Sequence, residues 1–196
     1  VGGVSTLYHL AKKCWCDVVL VDRKELTSGS TWHAAGLLPL FNLSYSVGKI
    51  HKSAVQFYQE LEKETGQNVG FKKVSNIRLA RTKDRMDEFM YYAGVAETIG
   101  IKVNILTPAQ VKELWPLCET EGLLGALQHP DDGYIQPSDL THALAKGSRA
   151  RGPTVSRHTC VTAIEQPHSD ECLDTPDRVY STCGPVFSYS GTFATA

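Results

Sequence analysis

No stretch of the sequence is apolar for long enough to cross a membrane, since none approaches the roughly 18 residues that a span requires. A basic n-region followed by an apolar h-region is also missing from the start, which predicts a protein that is soluble and not secreted. Charge of one sign is lacking too. Lys and Arg number 20 against 21 Asp and Glu, and the formal net charge of -1 offers no footprint for nucleic acid or an anionic membrane. Small molecules are therefore the expected partners. The six cysteines, at 14, 16, 118, 160, 172 and 183, form no C-x-x-C pair, which favours free thiols in a reducing compartment over disulfides or zinc. His51, His129, His142 and His158 are not grouped at ligand spacings, so no metal site is expected. Internal repeats are absent as well.

What is present is an ordinary globular composition, 42% hydrophobic and 21% charged over 196 residues, enough for one core. From Gly3 the stretch VSTLYHLAKK places Val4, Leu7, Tyr8, Leu10 and Ala11 at helical spacing. The run DVVLVD then reads as a parallel strand covered on both faces, and it ends in Asp22. A dinucleotide-binding unit places helix, strand and acid in this order, with the carboxylate accepting from a ribose diol. Its G-x-G-x-x-G fingerprint is incomplete here, because Gly3 supplies only the last glycine and no strand precedes it. The chain is thus expected to be a fragment that begins inside the motif. An amphipathic helix and buried strand of some other α/β protein fit residues 1 to 22 equally well.

After Asp22 comes TSGSTWHAAG, Thr27 to Gly36, on which the functional reading turns. Small and hydroxyl residues let backbone N–H groups approach a diphosphate, and one aromatic, Trp32, stands beside one imidazole, His33. The backbone of Gly29 with Ser30 and Thr31 are candidate diphosphate or ribityl contacts, and Ser28 reads as a cap. Ala34, Ala35 and Gly36, which follow, are all small. Arg23 and Lys24 adjoin Asp22 and are read either as adenine-side groups or as a solvated basic pair.

Further on, residues 44 to 66 form a helix with Ile50, Ala54, Phe57, Tyr58 and Leu61 on one face and Gly66 as its stop. Val74 to Arg81 alternates as a half-buried strand with Ile77 and Leu79 inward. Thr82 caps a helix to about Ile99 that turns Met86, Phe89, Met90 and Ala93 inward and breaks at Gly100. IKVNIL is a short strand or link. Thr107, Pro108 and Gln110 spell a capping box with proline at the first helical position, and Pro116 ends that helix. GALQHP leads to a turn built by Asp132 and Gly133, and Pro137 opens a helix closing near Gly152. SRHTCVTAIEQ is expected as a strand.

The loop sequence resembles the flavin loop of the dimethylglycine and sarcosine dehydrogenases, a branch of the D-amino-acid-oxidase-like flavoproteins. STLYHLAKK, ELTSGSTWHAAGL, LEKETGQ, RMDEF, WPL and HPDDGYIQP extend the resemblance from about Gly3 to Gln166. It implies an α/β chain: a partial FAD-binding Rossmann-like domain, truncated at its first strand and glycine turn, with an inserted α+β substrate-domain segment. The boundaries expected are 1–73 for the FAD-binding segment, 74–134 for the substrate or cap segment, 135–166 for the return to the FAD-binding domain and 167–196 for an irregular or aberrant tail. That tail holds three prolines and no sustained period.

The resemblance also implies FAD as cofactor, tethered through its 8α-methyl carbon to His33, with Gly3, Asp22, Arg23, Gly29, Ser30, Thr31, Ala34, Ala35 and Gly36 as its other candidate contacts. It implies FAD-dependent oxidative demethylation of N-methylated glycines, with electrons passed to an unidentified acceptor and a folate-binding domain in the full-length parent. Tyr134 and Gln136 are candidate contacts near the substrate lid, and no catalytic residue is assigned. The fragment alone is expected to be inactive. The location implied is cytoplasmic in a bacterium and the mitochondrial matrix in a eukaryote. A non-catalytic regulatory homologue on the same fold is the competing reading, and an NAD-linked enzyme is disfavoured by the loop.

Overall fold

A computed structural model describes residues 1–162. Helix α1 (Gly2–Lys12) carries the first amphipathic stripe and buries Val4, Leu7, Tyr8 and Ala11. It leads into β1 (Val19–Val21), then a 3-10 turn (Ser30–His33) and β2 (Leu37–Leu38). The long α2 (Tyr45–Thr65) ends on Gly66, which adopts the left-handed conformation at φ 62. Next come β3 (Lys72–Lys73), β4 (Asn76–Ala80), α3 (Lys83–Ile99), β5 (Asn104–Leu106) and α4 (Pro108–Leu114). The described part closes with β6 (Gly125–His129), β7 (Gly133–Tyr134), α5 (Pro137–Arg149) and β8 (Thr154–Ser156). No helix among the described residues is long and apolar enough to cross a membrane.

The local signals do what their chemistry dictates. Thr107 accepts from the Gln110 amide while the Gln110 side chain accepts from the Thr107 amide, so two amides that the helix start leaves unpaired are served reciprocally. Thr82 caps α3 by accepting from Arg85 N, and α3 ends on Gly100 at φ 76.

Among the described residues, three small sheets organise the strands. β1 and β8 pair in parallel, with Val19 opposite Thr154. β2, β7 and β3 form one antiparallel sheet, and β4, β6 and β5 a second in which β6 is central. β3 runs on into β4 and β6 into β7, so these two sheets are halves of one bent strand pair, broken at residues 74–75 on one side and 130–132 on the other. GALQH, expected only as a lead into a turn, is this central strand. Gly125 lies inside it because a β-carbon there would stand 3.0 Å from the Leu106 carbonyl oxygen and 3.1 Å from Met86 Sδ.

Two main cores result. In the first, α1, α2 and α5 bury Val4, Tyr8, Leu61, Leu140 and Leu144 together. Tyr8 is fully buried and its hydroxyl donates to the Glu64 carboxylate, which also accepts from Lys12 and Arg151, so α1, α2 and the chain just past α5 are tied at one acid. The Tyr8 hydroxyl, foremost, holds Glu64 below the ordinary carboxylate range, and burial pushes the phenol up. In the second core Phe89, Tyr92 and Ala96 of α3 pack on Leu127, Ala80 and Leu40. Full burial of Phe89 alone contributes about 3 kcal/mol of transfer free energy.

Several expected faces differ. β1 is covered on one face only: Leu20 packs on the first core, whereas Val19 and Val21 are exposed, so the run DVVLVD is not a doubly covered strand among the described residues. Ile50 is 66% exposed and Met90 56%, because the buried stripes of α2 and α3 pass through Val55 and Tyr92 instead. Leu79 points outward and Ala80 inward. α5 ends at Arg149, and the strand expected over 156–166 is β8 at Thr154–Ser156, displaced toward the helix so that it pairs with β1. Residues 157–162 are not strand, and 163–166, with the irregular 167–196, lie outside the described residues.

Candidate functional site

The start of α1, the end of β1 and the Thr27–Gly36 loop converge on a cavity of about 480 Å³. Gly3, Asp22, Gly29, Ser30, Thr31 and Ala34 line it, joined by Leu26 and Thr27 from the loop and Thr141 from α5. The helix start presents unpaired amides to this space, as every α-helix N-terminus does, and α1 has no acidic residue in its first turn to occupy them. A β-carbon on Gly3 would lie 3.4 Å from Leu20 Cδ1, an ordinary contact, so helix-to-strand spacing alone does not demand glycine there. Thr27 holds φ at 74, an outlier for a β-branched residue and the one strained backbone position among the lining side chains.

Asp22 is fixed by its neighbours. Its backbone N–H donates to the Ser156 carbonyl, its carbonyl accepts from Thr159 N, and its Oδ1 accepts from Lys24 N at 3.0 Å. The carboxylate is thereby oriented into the cavity wall with its second oxygen uncommitted among the described residues. Glu25 beside it accepts from Arg157 and His158, whose hydrogen bonds, that of His158 first, hold its carboxyl below the ordinary range.

The sequence-derived set divides. Arg23, His33, Ala35 and Gly36 stand outside the cavity lining, and Arg23 is exposed. His33 closes the 3-10 turn whose first residues face the cavity; it is exposed, with its ring stacked on Trp32 at 3.8 Å between centroids. Neither ring nitrogen hydrogen-bonds to a described residue. The turn is capped by Gly29 with no side-chain hydrogen bond, so Ser28 does not cap it. Gly36 takes φ 74, and a β-carbon on it would collide with the Ile135 carbonyl oxygen. Tyr134 is exposed in β7, and Gln136 is the exposed residue preceding α5. Thr141, Leu26 and Thr27 were missed because the only signal, an alcohol on the buried face of α5 and two ordinary loop residues, is not distinctive.

A second polar group is buried at the bend between the two antiparallel sheets. The Asp132 carboxylate accepts from Leu40 N at 2.9 Å, Tyr92 OH donates to the Leu40 carbonyl at 3.1 Å, and His129 Nε2 lies 3.0 Å from the same hydroxyl oxygen. Because the Tyr92 proton is committed to Leu40, His129 Nε2 carries the hydrogen and donates. Asp132, expected as a turn residue, is 2% accessible. Burial pushes Asp132 up to about 6, burial and then the Arg78 cation push His129 down to about 4, and burial raises Tyr92 to about 12.

These two shifts oppose each other in pH. Asp132 keeps its proton to about 6 when folded but only to its ordinary 3.8 when unfolded, so its contribution is present below about 3.8 and lost as pH rises through about 6. His129 contributes above its ordinary 6.5, and that is lost as pH falls through about 4. Relative to the unaltered protein, Asp132→Asn should therefore show a melting temperature that climbs more steeply from pH 4 to 6.5, and His129→Gln one that climbs less. Parallel curves for all three, measured by calorimetry, would contradict both assignments.

A glycine-started helix, a strand ending in an acid and a hydroxyl-rich loop around one cavity define a Rossmann-like nucleotide-binding unit. The family described as FAD dependent oxidoreductase matches residues 1–185, and the chain belongs to it. It is 42% identical to the mitochondrial dimethylglycine dehydrogenase of Rattus norvegicus over 175 residues, 89% of this chain but 20% of that protein. It is 36% identical to the mitochondrial sarcosine dehydrogenase of Homo sapiens, over 83% of this chain and 18% of the relative. The chain thus spans about a fifth of the length of these relatives. The solved L-proline dehydrogenase of P. horikoshii shares the fold with a TM-score of 0.75 at 20% identity, covering 84% of this chain and 43% of that one.

Proposed function

We propose that the chain is part of an enzyme that oxidises N-methylated amino acids of the dimethylglycine or sarcosine type, with FAD held in the α1–β1–loop cavity and tethered through His33. The cavity is the observation that carries this reading. Its residue types fit the group: amides of Gly2, Gly3 and Val4 for a diphosphate, Asp22 for a ribose diol, and Ser30 and Thr31 hydroxyls for the adjoining phosphate or ribityl oxygens. Bound there, FAD would supply the acceptance of two electrons and a hydrogen from the N-methyl carbon.

The protein's own contribution is to hold and orient. The exposed His33 ring, which makes no hydrogen bond to a described residue, offers a nitrogen nucleophile that could bond to the cofactor. Ala34 in the lining keeps the wall low where side chains would intrude. Arg23, Ala35 and Gly36 adjoin that wall and belong to the proposed contacts through neighbouring residues. An electron acceptor, and a folate domain to collect the one-carbon unit, belong to the full-length protein in this reading.

Denaturing the full-length protein and tracking flavin fluorescence tests the tether: yellow fluorescence should stay with the polypeptide. Turnover of dimethylglycine or sarcosine with an artificial acceptor then tests the activity. Polypeptide-linked flavin without turnover on any N-methyl amino acid would turn the reading toward a regulatory homologue. Protein that holds no flavin would overturn it.

A further inference from the structure

We propose that Asp132 is a positioning residue: by clamping Leu40 it fixes the segment that leaves the Thr27–Gly36 loop against the β4–β6–β5 sheet, and Tyr92 with His129 completes the clamp. Leu40 is 4% accessible and pairs with no strand there, yet both of its backbone polar groups are satisfied, and by side chains. The acceptor and donor stand 92 and 52 positions away in the chain. Upstream, the Gly36 carbonyl accepts from Ile135 N at 2.8 Å, and Leu37 and Leu38 pair with Tyr134 and Gly133. The stretch from Gly36 to Leu40 is thus fastened continuously to residues 132–135.

Asp132 also gathers the bend itself. Its carbonyl accepts from Val74 N at 3.1 Å and Ser75 N at 2.9 Å, where Ser75 holds φ at 69 between β3 and β4. One residue therefore joins the outgoing loop, the break between β3 and β4 and the break between β6 and β7. Around it Phe41 stacks on Tyr92 and carries the Arg78 guanidinium at 4.2 Å, while His51 Nδ1 meets the Pro39 carbonyl at 3.0 Å. Displacing Leu40 moves the downstream anchor of the loop that carries His33, although no atom of the clamp belongs to the cavity lining.

The inference rests on the proposed role of the loop, and its test separates the two. In the full-length protein, Asp132→Ala removes the acceptor, Asp132→Asn keeps an oxygen for Leu40 N–H while removing the charge, and Tyr92→Phe removes the donor to the Leu40 carbonyl together with the acceptor of His129. Hydrogen–deuterium exchange of peptides spanning 30–36 and 37–41 is read with the fraction of polypeptide-linked flavin. Asp132→Ala should speed exchange roughly tenfold or more in both peptides and lower the flavin-linked fraction several-fold; Tyr92→Phe should do the same to a smaller degree, and Asp132→Asn should restore both readouts. Faster exchange confined to 37–41 with unchanged flavin linkage would make Asp132 merely structural and overturn the proposal. If the unaltered protein carries no linked flavin, the functional reading fails on its own, and exchange of residues 30–36 still decides the clamp.

Discussion

Alanine at Gly36 is expected to unfold the junction between the loop and the sheet, lowering stability by about 3 kcal/mol or more. Two costs add. A left-handed φ of 74 disfavours any residue with a β-carbon by about 1–3 kcal/mol, and the new methyl would meet the Ile135 carbonyl oxygen, which is backbone and cannot rotate away. Relief requires parting Ile135 N from the Gly36 carbonyl and with it the β2–β7 pairing that follows. Chemical denaturation of Gly36→Ala against the parent measures this. A change under about 1 kcal/mol would mean that the strand pair shifts more easily than its hydrogen bonds suggest.

Under the tether proposed above, His33→Ala should leave the fold standing and abolish polypeptide-linked flavin. His33 is exposed and makes no hydrogen bond to a described residue, so its removal belongs among surface substitutions, within about 0.5 kcal/mol. The cavity lining is untouched, so the variant should still bind added FAD reversibly. Without the tether, the expected loss in kcat at saturating FAD is roughly tenfold to a hundredfold, the scale of a displacement of about 1 Å at a reacting centre. Flavin that still migrates with the denatured variant would assign the attachment to another residue.

The sequence was most legible where cause and effect are neighbours. Gly66, Gly100 and the Thr107–Gln110 box act within one turn of helix, and the structure has each of them in the expected role. Faces of helices were read less well. Ile50 and Met90 are apolar and lie one position off the buried stripe, where long-range packing rather than side-chain character decides who faces inward. β6 escaped because GALQH has no alternation and a central glycine-bearing strand owes its place to partners on both sides. Around the cavity, Asp22 and Ser30 follow from chain order, whereas Thr141 arrives from a helix that only folding brings near. His129 and Asp132 lie in HPDDGYIQP, but nothing in that string announces their partners; Leu40, Tyr92 and residues 129–132 belong to three separate segments that must meet before these hydrogen bonds exist.

Gly147 has a reach beyond its own helix. A β-carbon there would lie 2.7 Å from the Tyr8 ring, so the hydrogen at this position lets α1 settle directly on α5. Each of the two helices also sends residues to the cavity, Gly2 and Gly3 from one and Thr141 from the other. They behave like the arms of a caliper: the gap at the jaws, where a dinucleotide would be gripped, is gauged by how closely the arms seat at a missing side chain one or more helical turns away.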